Sequence, residues 1–224
     1  DQPRSRGLGD VYKRQLFGLD LSNLNLSGAN LSGSALYAAD ISNTDLSGAN
    51  LSHAQIYKAN VSDTNFTYSN LSYANLCGIR SSLTLPNGDI ATFDFTGADL
   101  SYADLDHSSL MNADLTDASI MYTNFNDAYL IRVDLSDKDL TGTILTDANL
   151  SKVKLLDANL TDASLQNTDL RYALIVDTNL LNAILTGADL SYATLTGAIL
   201  TGANLENAIL TNAILNCIGH SICI

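Results

Sequence analysis

An apolar residue returns at every fifth position along most of this 224-residue chain. The series runs Leu16, Leu21, Leu26, Leu31, Leu36, Ile41, Leu46, Leu51, Ile56, Val61, Phe66, Leu71, Leu76. It resumes at Phe95, Leu100 and Leu105 and continues in steps of five to Leu215. Two positions before most of them stands a small residue, usually Ala, as at Ala29, Ala49, Ala98, Ala148 and Ala203. Helical faces recur at about 3.6 residues and strand faces at every second residue, so neither element produces this period.

One unit reads Ala98-Asp99-Leu100-Ser101-Tyr102. Its large and small apolar positions point one way and the rest point to solvent. A single unit cannot bury its Leu, so successive units must turn corners and stack. Four units make a square coil of twenty residues, in which residues twenty apart share a face. Tyr37 and Tyr57, Tyr102 and Tyr122, and Tyr172 and Tyr192 have this spacing. So do Arg132 and Lys152, and the run Asp117, Asp137, Asp157, Asp177. About ten coils at a sheet spacing of about 4.8 Å would make a rod roughly 50 Å long. The absence of Trp suits a narrow interior.

The text resembles the pentapeptide-repeat proteins, whose motif is A(D/N)Lxx. Ala148-Asn149-Leu150, Ala158-Asn159-Leu160, Ala188-Asp189-Leu190 and Ala203-Asn204-Leu205 match it directly. The resemblance implies an all-β fold, a right-handed quadrilateral β-helix. Its expected organisation is a non-repeat segment (1–15), an N-terminal stack (16–76), an interrupting loop or hairpin (77–94), a C-terminal stack (95–215) and a tail or cap (216–224).

The formal charge is −13, and the body beyond residue 15 carries −15, nearly all from Asp. Asp suits turns and keeps a repetitive chain soluble and monomeric; an acidic rod also attracts basic surfaces. No basic stripe exists to neutralise phosphates, which argues against direct nucleic-acid binding. No run of eighteen apolar residues exists to span a membrane. The chain is read as soluble, and cytoplasmic by default, although residues 1–15 fit no repeat, lack an initiating Met and leave the native start open.

The distance from Leu76 to Phe95 is nineteen, a phase slip of one residue. Pro86-Asn87-Gly88-Asp89 lies between short alternating runs and signals a turn. Arg80 is the basic residue of this segment. With Asn87 it marks the loop as a candidate interaction element. Cys77 reads as a turn residue; Cys217 and Cys223 could close the end of the rod by a disulfide.

No nucleophile elbow, P-loop or dinucleotide fingerprint is present. His53 and His107 fall two positions after a core residue, where side chains face solvent. Asp pairs recur with the repeat and so carry no information about acid–base chemistry. The run Asp117, Asp137, Asp157, Asp177 spreads its carboxylates along a line, whereas calcium needs about six to eight oxygens at one point. The reading is non-enzymatic, with no cofactor and no metal, and with these aspartates as a candidate interaction ladder.

Just before the core residue, where Asp or Asn is usual, stand Ile144, Leu174, Ile184, Ile199, Ile209 and Ile214. Pointing outward, they would offer apolar patches to a partner or to a homodimer at the C-terminal end; turned inward, they would only be core. The expected function is a protein–protein interaction scaffold with an unidentified protein partner. A subset of the family resembles B-form DNA in width and charge and binds DNA gyrase or topoisomerase IV, so resemblance also implies a DNA-mimicking inhibitor of a type II topoisomerase. This chain departs from that subset in its uniform A(D/N)L text and near absence of Glu. A structural spacer of a larger protein is the third reading.

Overall fold

The computed structural model describes residues 16, 18–79, 93–111 and 113–223. Segment 1–15, Arg80, Asn87 and the rest of 80–92 lie outside the described residues.

Nearly every core residue begins a tight turn. The carbonyl of Leu26 accepts the N–H of Ala29, and that of Leu100 the N–H of Ala103. The third residue of such a turn has φ near +60°, as at Asn43, Tyr102, Arg132 and Asp157. A type II turn requires this, and it favours Gly, Asn and Asp, which lose least in the left-handed region. After each turn the chain runs straight for about three residues and then turns again. Every side of the coil is therefore short. Among the described residues its pairing consists of single parallel bridges, not of extended strands.

The bridges join residues twenty apart, as in Asp20↔Asp40↔Asn60 and Ile144↔Ser164↔Ile184↔Asn204. Four columns result. The first side carries Leu21, Ile41, Leu130 and Leu150; the second Leu46, Phe66, Leu135 and Leu155; the third Leu51, Leu100, Leu140 and Leu160; the fourth Ile56, Leu105, Leu145 and Leu165. All but the terminal members are buried, and with the Ala columns they form one continuous core cluster. Outward carboxyls and amides on successive coils are tied together, as Asn60 Nδ2 donates to Asp40 at 3.1 Å and Asn124 Nδ2 to Asp104 at 2.9 Å.

At the interruption the bridges are Asn65↔Asp94, Asn70↔Asp99 and Asn75↔Asp104, each twenty-nine apart. Phe66 stacks on Phe95 with ring centroids 5.2 Å apart. The nineteen residues from Leu76 to Phe95 are thus not a slip of one. They equal two units plus nine further residues, and the columns continue unchanged on both sides. At the other end, Ile218 pairs with Ile199 at a spacing of nineteen. Cys217 and Cys223 are joined by a disulfide, their Cα atoms 4.9 Å apart.

Candidate interaction surface

The positive-φ residues stand at the four corners, so stacking turns each corner into a column of outward side chains. The first corner carries Arg132, Lys152, Tyr172 and Tyr192, all exposed. Tyr172 and Tyr192 stack at 4.9 Å, and the Lys152 ammonium lies 6.0 Å from the Tyr172 ring centroid. The second corner carries Asp117, Asp137, Asp157 and Asp177, the ladder read from the sequence, and all four are exposed. Among the described residues no hydrogen bond or ion pair engages their carboxylates.

The third corner holds rings in one file. His53 stacks on Tyr73 at 5.0 Å, Tyr73 on Tyr102 at 4.8 Å and Tyr102 on Tyr122 at 5.0 Å. Gly142 ends the file: its φ is +64°, and a Cβ there would lie 2.5 Å from the Tyr122 ring. The spacing of twenty finds the pair Tyr102–Tyr122 but not Tyr73–Tyr102, which the twenty-nine-residue coil brings together.

His107, at the fourth corner, is also less isolated than its sequence suggests. Its Nδ1 lies 2.6 Å from Asp106 Oδ1 and its Nε2 3.9 Å from Asp127 Oδ2. Burial pushes the Asp106 carboxyl up, but hydrogen bonds from Asn126 and His107 outweigh this and hold it below the usual carboxylate range. Among the described residues, Asp106, His107 and Asp127 are the group whose ligand atoms lie within 4.8 Å of one another and could meet a metal ion. They are half-buried to exposed, and pairing of the imidazole with two carboxylates accounts for them. The signal was available as the twenty-residue spacing of His107 and Asp127. Beside them is an open depression of about 390 Å³ lined by Lys58, Cys77, Gly78, Asp106 and His107. Burial first, and then the charges of Asp104 and Asp106, raise the Cys77 thiol, which disfavours a reactive thiolate there.

The apolar residues before the core positions point outward. Ile144, Leu174, Ile184, Ile199, Ile209 and Ile214 are between 38% and 55% exposed. Ile144 and Ile184 share the fourth side, and Leu174 and Ile214 the second. Arg171 and Lys154 stand nearby but are engaged: Arg171 grips Asp169 at 2.6 Å and Lys154 reaches Asp134 at 2.9 Å. No helix among the described residues is long and apolar enough to cross a membrane.

The profile of the family "Pentapeptide repeats" matches eight copies, over residues 15–52, 45–80, 94–121, 123–162, 163–202 and 188–217. Among solved structures the chain is similar to HetL, a pentapeptide repeat protein involved in heterocyst differentiation regulation from the cyanobacterium Nostoc sp. strain PCC 7120. The two share 31% identity over 97% of this chain and 96% of HetL, with a TM-score of 0.49. QnrB1, a plasmid-mediated fluoroquinolone resistance protein, shares 20% identity over 89% of this chain and 86% of its own, with a TM-score of 0.35. Rfr23 from the cyanobacterium Cyanothece 51142 shares 27% identity over 67% and 88%, with a TM-score of 0.23. No curated protein matches.

Proposed function

The chain belongs to the pentapeptide-repeat family, and we propose that it is a non-enzymatic scaffold that works through protein–protein contact on the sides of its coil. The underlying architecture is a right-handed square β-helix of about ten coils. The observation that carries this reading is the outward set Ile144, Leu174, Ile184 and Ile199, each more than a third exposed on an otherwise acidic surface. Apolar side chains at positions where the repeat normally places Asp or Asn cost solubility and are accounted for by a partner that covers them. Arg80 and Asn87, in the segment that interrupts the repeat, are proposed to add specificity. Capture from a lysate by the full chain and by Leu174→Asp and Ile184→Asp variants tests it. A bound protein retained by the wild type and lost from a variant is expected; identical captured sets would sink the reading.

The acidic body, with its unpaired file of four aspartates, favours a second reading, in which the rod imitates the charge of duplex DNA before a type II topoisomerase. A gyrase supercoiling titration separates the two. Inhibition that weakens with added salt supports mimicry, because exposed charges are screened. Undiminished supercoiling at a large molar excess removes it.

A further inference from the structure

The second side of the coil is bounded by charges of opposite sign. Along one edge runs the first corner, with Arg132 and Lys152; along the other runs the second corner, with Asp137 and Asp157. Between them the outward residues are apolar or neutral at the upper coils: Leu156, Leu174 and Val176, then Thr194 and Thr196. Leu174 is 41% exposed. Lys154, the cation on the side itself, is already neutralised by Asp134. By contrast, among the described residues Arg132, Lys152, Asp137 and Asp157 have no ion-pair partner.

We propose that this side is a docking surface for a second copy of the same chain, related by a two-fold axis parallel to the coil axis. Rotation by half a turn about such an axis keeps each coil at its height and exchanges the two edges. Arg132 then meets Asp137 of the second copy, and Lys152 meets Asp157 of the second copy. Leu174 meets Val176 and Thr194 meets Thr196, so apolar contacts lie at the centre and ion pairs at both rims. Every contact occurs twice, as an isologous interface demands. The antiparallel arrangement would instead set Arg132 and Lys152 against their own kind and is repelled, so charge selects the parallel pair.

The side is large enough. Five residues at about 3.3 Å and about ten coils at about 4.8 Å give roughly 790 Å² per copy, close to the ~800 Å² per partner of a standard interface. The first side shows a similar order of signs, from Asp127 and Asp147 to Arg132 and Lys152. Its acids are already engaged: Asn167 donates to Asp147 at 3.0 Å, Asn126 to Asp127 at 3.0 Å, and Arg171 holds Asp169. At the second corner, by contrast, the Asp137 and Asp157 carboxylates have no such partner among the described residues.

Sedimentation equilibrium of the full chain tests the proposal. A monomer–dimer equilibrium that weakens with salt is expected. Arg132→Asp with Lys152→Asp should raise the dissociation constant at least tenfold, and so should Asp137→Lys with Asp157→Lys. These exchanges suit the fold, because Asp, Lys and Arg all occupy these positive-φ corners already. If a double reversal folds poorly, Arg132→Gln with Lys152→Gln replaces it, with the same direction of effect. Mixing the two double variants should give a heterodimer that neither forms alone. Leu174→Asp should weaken the dimer and Ile144→Asp should leave it unchanged. A monomer at every attainable concentration overturns the proposal. So does a dimer that survives Asp137→Lys with Asp157→Lys, which would place the contact on the first side or at the C-terminal end.

Discussion

The inward small position is where single residues decide most, because each is packed between a core column and the next coil. Ala is usual there, but Thr and Ser also occur, and the structure treats them differently. The hydroxyls of Thr44, Thr64, Thr123 and Thr168 donate at 2.8 to 2.9 Å to main-chain carbonyls of Leu21, Ile41, Leu100 and Leu145, one coil below. Ser34, Ser69 and Ser108 are equally buried, and among the described residues their hydroxyls have no partner. A buried hydroxyl left unpaired costs about 1–3 kcal/mol, whereas a made bond contributes about 1 kcal/mol. Thr123→Val should therefore destabilise by about 1 kcal/mol, while Ser108→Ala should stabilise by a similar amount. Urea midpoints at constant slope measure both; a loss in both variants would contradict the assignment of Ser108 as unpaired. The sequence shows that both residues point inward, since both lie two before a core Leu or Phe. It does not show which hydroxyl finds a carbonyl, because that depends on the rotamer each adopts against the coil below.

At the scale of the coil, two features carry predictions. The first is the side-chain turn that opens a side wherever Asp or Asn stands before the core residue. In Asp40-Ile41-Ser42 the carboxylate accepts from the Ser42 hydroxyl at 2.6 Å and the Ser42 N–H at 3.0 Å. These two bonds, opposed by burial and helped by Asn60, hold the Asp40 carboxyl below its usual range. A carboxyl lowered on folding contributes stability above its unfolded value near 3.9 and loses it as the pH falls through the folded value. Asn at this position accepts the same bonds without titrating, as Asn50 does from the Ser52 N–H. Asp40→Asn should thus melt close to the wild type at neutral pH and above it near pH 3, by a margin that grows as the pH falls; parallel melting curves at all pH values would contradict this. The second feature is the twenty-nine-residue coil. Removing nine residues, Ser81–Asp89, would leave Ile90 five after Leu76 and five before Phe95. The text would then read as unbroken repeat. This deletion variant should fold with a melting temperature within a few degrees of the parent, and a collapse of stability would show that the segment belongs to the scaffold. The stacking columns of Leu and Ala were thus legible from period alone, and so were the rings of Tyr37–Tyr57, Tyr102–Tyr122 and Tyr172–Tyr192. The join of Tyr73 to Tyr102 was not, because nine added residues hide it from any search at twenty. The outward aim of Ile144 and Ile184 was not legible either, since an apolar side chain at a position that usually carries Asp or Asn leaves both an outward patch and an added core residue open.

Over the whole molecule, the core has no centre: each coil is buried by its two neighbours, so the terminal coils are the weak points. At the C-terminal end Leu205, Leu210 and Leu215 are only half-buried, and they and Cys217, Ile222 and Cys223 of the tail pack against the buried core. The tail also continues the third side. The Leu200 N–H donates to the Ile218 carbonyl at 2.8 Å, and the Ile218 N–H to that of Ala198 at 2.8 Å. The Cys217–Cys223 bond closes the turn around Gly219 and His220, where the Ile222 N–H donates to His220 Nδ1 at 3.3 Å. A loop of this length, once cross-linked, restricts the unfolded tail by about 2 kcal/mol. In a stack of nearest-neighbour contacts that restriction acts on the last coils and reaches distant ones only through the coils between. Cys217→Ser with Cys223→Ser should therefore speed hydrogen exchange at the Leu200 amide by about thirtyfold, the exchange equivalent of ~2 kcal/mol. The amides of Leu46 and Leu51, near the other end, should exchange as before. If protection falls equally at both ends, the rod opens as one cooperative unit, and the tail acts on the whole stack rather than as a local lid on its last coil.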